Sequence, residues 1–369
     1  MKPFYLQLAK VQQKTPGAKS RVLFYGDSTI MADWTTGTLR RRLQSRFGDG
    51  GHGFVLPVSG WRDYHHDDVT RWNTRLWSVM SVVPGGDDGM YGLGGVAAIA
   101  LGAGLRATIG TTKHGPVGRT IDRVEVSYLT QSYGGQIEVS LDEQPPQLIN
   151  TRAEVIEARS LVIETNDAPH RVQLHSMGHG PTRILGVELL RSSGGVIVDS
   201  IGLGGARLRA LLQINEGHWA SELQRRHPSL VVFAFGANER GELFFDERSE
   251  FLRTGRDVLA RFRKALPDTS CMIVAAYDRA GSDGTTDTDV ADLVRAQAKL
   301  ANEARCAFFN TFEAMGGAGS MARWIARGLG SADRIHPSPA GADLLAGWIY
   351  DAWMSDLAEL STDELRTEP

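Results

Sequence analysis

Arg21-Val22-Leu23-Phe24-Tyr25-Gly26-Asp27-Ser28 is a short apolar run that stops abruptly at Gly-Asp-Ser. Residues 22–25 are too few for a helix and suit a buried strand. A strand ending there places a hydroxyl at the carboxyl edge of a sheet, which is where open α/β sheets bind ligands. Residues 35–47 then read as a helix, with Leu39, Leu43 and Phe47 four apart. Ser28 is thus a candidate nucleophile near the start of a helix, although a lone Gly-Asp-Ser is equally an ordinary turn.

Three later segments add to it. Residues 195–201 form a second apolar strand that runs into Gly202-Leu203-Gly204-Gly205-Ala206. Residues 230–235 form a third, running into Gly236-Ala237-Asn238-Glu239, and Asp333-Arg334-Ile335-His336-Pro337 precedes the last helix. Ser, Gly, Asn and His blocks in this order resemble those of the SGNH (GDSL-like) hydrolase family. The resemblance covers residues 21–53 and 194–354, and it implies a three-layer α/β/α core with flavodoxin-like strand order. It also implies roles. Acyl transfer needs a nucleophile, a base, a group that orients the base, and donors for the oxyanion. Ser28 would attack, His336 would take its proton, and Asp333 would hold the imidazole. The backbone N–H groups of Ser28 and Gly205 and the side-chain amide of Asn238 would line the oxyanion hole. Gly204 competes with Gly205, because the glycine is doubled.

The glycine-rich stretch 47–54 lacks the lysine of a phosphate-binding loop. It resembles the stretch just after the serine block in peptidoglycan O-acetylesterases, a subgroup carrying a β-rich insert at this place. From Asp122 the hydrophobic period becomes two, with Val124, Val126 and Tyr128, then Ile137, Val139 and Leu141, and on to residues 184–190. Strands about ten residues apart with turns between them predict an all-β insert, a β-sandwich; the resemblance implies one of the carbohydrate-binding kind. The expected division is 1–60 and 194–369 for the core and 61–193 for the insert. Helices are expected at 4–13, 206–226, 247–266, 288–304 and 339–354, with Asp287 or Asp289 capping the fourth. Strands are expected at 271–277 and 306–310, and a polar tail from 356 on.

Composition narrows the partners. With 42% hydrophobic residues, 22% charged and a net charge of −3, there is no basic field for nucleic acid. No apolar run marks a leader or a transmembrane span. The chain therefore reads as cytoplasmic or as a trimmed mature form, and the family resemblance favours periplasmic or extracellular. Cys271 and Cys306 read as two buried free thiols, with a bridge left open. No cofactor or metal is expected: His65 and His66 are adjacent and point apart on a strand, and glycines flank His179, four residues beyond His175. Gly202-x-Gly204 fails as a dinucleotide motif, because Arg207 stands where the third glycine belongs. Trp61, Trp72 and Trp77 suit either packing under a loop or stacking on sugar rings. The expected activity is that of a serine esterase removing small acyl groups, O-acetyl first, from a polysaccharide or peptidoglycan, as a monomer. An O-acyltransferase with the same triad and a catalytically silent glycan-binding protein are the alternatives.

Overall fold

The computed structural model describes residues 1–239, 246, 247 and 249–360. The chain opens with α1 (Lys2–Gln12), β1 (Lys19–Gly26), the one-turn α2 (Ser28–Met31) and α3 (Trp34–Phe47). Eleven antiparallel strands come next: β2 (Gly51–Val55), β3 (Val69–Asn73), β4 (Ser78–Ser81), β5 (Val96–Ala100), β6 (Arg106–Thr111), β7 (Ile121–Thr130), β8 (Gln136–Leu141), β9 (Gln147–Asn150), β10 (Glu157–Ala168), β11 (Arg171–Gly178) and β12 (Thr182–Leu190). Strand and helix then alternate: β13 (Gly195–Gly202), α4 (Glu216–Arg226), β14 (Leu230–Ala234), α5 (Glu250–Ala265), β15 (Ser270–Val274), α6 (Val290–Glu303) and β16 (Ala307–Phe309). The short α7 (Thr311–Ala314) and α8 (Ser320–Ala326) lead to the closing α9 (Pro339–Glu359).

β13, β1, β14, β15 and β16 form, in that order, one parallel sheet. Numbered by position in the chain, this is the order 2-1-3-4-5 of flavodoxin-like folds. Side chains of β1 alternate between its two faces. Leu23 and Tyr25 join Leu223, Phe262 and Leu293 on one side, while Val22 and Phe24 join Leu8, Leu43 and Trp353 on the other. Helices therefore cover both faces, and the chain reverses strand order between β1 and β14, next to Ser28.

The antiparallel strands make two sheets, one ordered β10-β7-β12-β5-β4 with β2 beside β12, the other β3-β6-β11-β8-β9. Val126, Ile184 and Val187 of the first share a buried cluster with Ile109, Val139 and Leu174 of the second. The first sheet meets the α/β core through buried charge. Arg21 of β1 donates to both carboxylate oxygens of Asp199 on β13 and to Glu188 on β12, at 2.6–2.8 Å. Arg226 of α4 reaches Glu188 at 2.6 Å and Glu222 at 2.8 Å. Each charge there is paired, which offsets the cost of burying it.

Several expectations need correction. Cys271 and Cys306 form a disulfide. Parallel pairing of Met272 with Ala307 sets the preceding residues side by side, with Cα atoms 4.7 Å apart. The helix expected over 206–226 is two pieces. Leu208–Gln213 is a 3₁₀ turn, Ile214 is extended, and Asn215 caps α4 by accepting from His218 N. Asp289 occupies the N-cap position of α6 without capping it, because its carboxylate pairs with Arg279. The last helix runs on to Glu359, and residues 361–369 of the expected tail lie outside the described residues, as does residue 248 near the expected start of α5. Strand structure begins at Gly51, well before the alternation that starts at Asp122.

Beneath α3 lies a second buried polar group. Asp33, in left-handed backbone (φ 58°), precedes the helix. Its carboxylate accepts from Arg40, from Thr36 Oγ1 and from Asp67 N. His66 Nδ1 donates to Asp67 O and His52 Nε2 to Gly118 O, and the two rings lie 5.7 Å apart. Burial, seconded by the nearby Arg40 charge, holds His52 down to about 4 and His66 to about 3. Native rings thus refuse protons that the unfolded chain accepts below about pH 6.5, so stability is full above that pH and falls as pH drops toward 4. Asp33, held below the usual carboxylate range once Arg40 outweighs its burial, acts only at lower pH. Unfolding free energies at pH 7 and pH 5 should therefore differ by about 2 kcal/mol per ring, with a lower melting temperature at pH 5, and His66→Gln should shrink the difference. A wild-type melting temperature unchanged between the two would contradict this.

Candidate active site

Ser28 is the first residue of α2, immediately beyond β1. Its Oγ lies 2.7 Å from His336 Nε2, and His336 Nδ1 lies 2.7 Å from Asp333 Oδ2. The other Asp333 oxygen accepts from the backbone N–H groups of Ile335 and His336, at 2.9 and 3.0 Å. Partial burial raises the Asp333 pKa, but these N–H groups and the imidazole outweigh it and hold the carboxyl below its usual range. An ionised carboxylate can only accept, so Nδ1 carries the imidazole proton. Nε2 is then left to accept from the Ser28 hydroxyl, as an attacking serine requires.

The His336 loop is built as a tight return. Ser331 N donates to His336 O and Ala280 N to Arg334 O, while Arg334 takes left-handed backbone (φ 66°). Ser338 caps α9 by accepting from Gly341 N, and Pro339 starts the helix. Ser28, Trp34, Asp63, Asp333, His336 and Pro337 line a cleft of about 250 Å³.

Asn238 lies just beyond β14, the neighbour of β1. Its Nδ2 donates to Ala206 O at 3.0 Å, and Glu239 Oε1 accepts from Leu208 N at 2.8 Å. The Asn block thereby grips the Gly block. Gly205 takes left-handed backbone (φ 76°) and is exposed, with nothing but Val83 Cγ1 near the site of a side chain. Gly204 is covered by the Trp61 ring. Nδ2 of Asn238 has a second hydrogen beyond the one given to Ala206. The structure thus gathers Ser28, His336 and Asp333 into one hydrogen-bonded chain, and ties Asn238 to the turn that carries Gly204 and Gly205.

Sequence reasoning gave no role to Asp27, which connects these pieces. It is 1% exposed. Oδ1 accepts from Thr29 N and Thr29 Oγ1, at 2.9 and 2.8 Å. Oδ2 accepts from Gly236 N and Ala237 N, at 3.2 and 3.0 Å. Burial pushes the carboxyl up, against those donors. From the far side, buried Arg279 donates to Gly236 O, and Gln297 donates to Phe235 O. The available signal was position: an Asp just before a helix start is a standard N-cap. Arg279 and Gln297 carry no local signal.

Residues 165–344 match the GDSL-like Lipase/Acylhydrolase family, a span that holds Gly205, Asn238, Asp333 and His336 but not Ser28. A solved structure of a "Peptidoglycan O-acetylesterase in action" superposes with a TM-score of 0.80 at 22% identity, covering 97% of each chain. A family two carbohydrate esterase from Cellvibrio japonicus gives a TM-score of 0.31 at 12% identity, over 79% of this chain and 98% of that one. One from Clostridium thermocellum, in complex with cellohexaose, gives 0.31 at 12%, over 72% and 96%. No curated protein sequence matches the chain significantly. The family match thus spans just under half of the chain, and it joins this chain in resemblance to the SGNH (GDSL-like) acylhydrolases. In whole-chain fold it is similar to the peptidoglycan O-acetylesterase.

Asp27→Asn should test the link between the blocks. An amide must turn its NH₂ toward either the Thr29 or the Gly236–Ala237 donors, leaving buried N–H groups unpaired. The expected loss is about 2 kcal/mol of stability, with kcat reduced at least about tenfold and KM little changed. Chemical denaturation and steady-state kinetics on a small ester would check it; a variant with wild-type stability and kcat would refute the link.

Proposed function

We propose that this protein is a serine esterase that removes small acyl groups, O-acetyl foremost, from a polysaccharide or peptidoglycan. The observation that carries the reading is the hydrogen-bonded chain Ser28–His336–Asp333 at the carboxyl edge of the parallel sheet. In this reading Ser28 Oγ attacks the ester carbonyl while His336 Nε2 takes its proton. The protonated imidazole, held by Asp333, then gives that proton to the sugar oxygen as its bond to the acyl carbon breaks, so that the sugar leaves as an alcohol. Water repeats the two steps on the acyl-serine. The developing oxyanion is met by the Ser28 and Gly205 N–H groups and by Asn238 Nδ2. A cleft of about 250 Å³ supports a short acyl group over a long chain.

The glycan substrate is favoured by two further observations. The fold is that of a protein described as a peptidoglycan O-acetylesterase. The antiparallel unit, read as a carbohydrate-binding β-sandwich inserted at 61–193, carries Trp72 56% exposed on its edge strand β3. A second groove, of about 930 Å³, crosses the same sheet between Thr70, Gly110 and Arg171. Such contacts raise kcat/KM on a long substrate and leave a small ester unaffected. The Cys271–Cys306 disulfide supports an oxidising compartment, and hence a periplasmic or extracellular location.

Acetate release across a panel of O-acetylated glycans, beside hydrolysis of p-nitrophenyl acetate, tests the reading. Ser28→Ala should abolish both, and a fluorophosphonate probe should label the wild type at Ser28. Asn238→Ala should lower kcat by about 10²–10³ with KM nearly constant. Labelling at another residue, or activity surviving in Ser28→Ala, would defeat it.

A further inference from the structure

We infer that Trp61 is a substrate-contacting residue of this site, which receives the sugar ring bearing the scissile ester; this rests on the glycan reading above. The segment carrying Trp61 reaches the catalytic edge from the β-rich part of the chain. Asp63, two residues on, lines the Ser28 cleft, and His65 N donates to Met31 O at 3.1 Å, which docks the segment beside α2. Ser59 Oγ accepts from Trp61 N, and Tyr64 OH accepts from Leu56 N, so the turn is held from within.

The indole lies against Gly204. A side chain at 204 would put its Cβ 2.4 Å from Trp61 Cδ1 and 2.5 Å from Nε1, so glycine is what lets the ring rest on this backbone. The next residue, Gly205, is the exposed N–H donor assigned to the oxyanion. One edge of the indole therefore borders the oxyanion turn, and the chain two residues on borders the Ser28 cleft. The ring itself is half-buried, packed on the main core cluster. Its Nε1–H makes no hydrogen bond to a described residue and is not a buried unpaired group, so it is left to solvent or to a ligand. A flat apolar face with a spare donor at its rim suits a pyranose, which offers C–H groups on one face and hydroxyls around its edge. A small aryl ester reaches the Ser28 cleft without needing this surface.

The doubled glycine then has two tasks: Gly204 admits the indole, and Gly205 presents its N–H. The test compares wild type, Trp61→Phe and Trp61→Ala on p-nitrophenyl acetate and on an O-acetylated oligosaccharide that the wild type hydrolyses, with melting temperatures recorded for each. Trp61→Ala should raise KM for the oligosaccharide at least about tenfold, about 1.4 kcal/mol of binding. Its kcat and KM on p-nitrophenyl acetate should stay within about threefold. Trp61→Phe, which keeps a stacking face and loses the donor, should fall between. Equal losses of kcat on both substrates would overturn the inference and make Trp61 a support for the Gly204–Gly205 turn. Unchanged kinetics on the oligosaccharide would overturn it too. A wild type that hydrolyses p-nitrophenyl acetate but no acetylated glycan would instead overturn the glycan reading, and this inference with it.

Discussion

The buried carboxylate of Asp27 is the constraint on which the catalytic edge depends. One oxygen is held by the first turn after Ser28, the other by the backbone that leads to Asn238. Two strands that are adjacent in the sheet but about two hundred residues apart in the chain thereby end in one shared group. Burying a carboxylate costs free energy, which explains its raised pKa; four donors on two oxygens offset that cost. Arg279 and Gln297 press the same loop from the opposite side, and Asn238 and Glu239 pass the constraint on to the Gly204–Gly205 turn. A donor set meant for an oxyanion must not reorganise during reaction, and this chain of buried bonds limits such motion.

The antiparallel sheets belong to the same mechanical system. Arg21, on the strand that leads to Ser28, is clamped by Asp199 of the parallel sheet and Glu188 of the antiparallel one. Arg226 of α4 closes the group on Glu188. An unpaired charge at such a junction would cost several kcal/mol, so the two parts are held in register as well as in contact. This rigidity is what allows a turn from the β-rich part to set Asp63 in the wall of the Ser28 cleft and Trp61 against Gly204.

Much of this was legible in the order of residues. Short apolar runs ending in Gly-Asp-Ser, Gly-Gly and Gly-Ala-Asn identified β1, β13 and β14 and the edge they share, because strand burial and turn chemistry are local properties. Asp333 and His336, three apart on one loop, were legible for the same reason. Alternation of period two revealed β7, β8, β10, β11 and β12, whose opposite faces see different surroundings. It missed β2 and β5, which are buried almost throughout, and β6, as well as β3, β4 and β9, which are short strands at sheet edges. A strand buried on both sides, or on neither, has no alternation to read.

What the sequence determined by itself was the chemistry at hand and its placement along the chain: a hydroxyl, an imidazole, a carboxylate and an amide, each beyond a strand or in a late loop. Only the tertiary structure decided the partnerships. Parallel register set Cys271 beside Cys306 and made a disulfide of two apparent thiols. Asp289 turned from a helix cap to Arg279, and Trp61 came to rest on Gly204 while Gly205 stayed exposed. Each outcome turns on which distant group arrives within a few ångströms, and that is a property of packing, to which the local spacing of residues is blind.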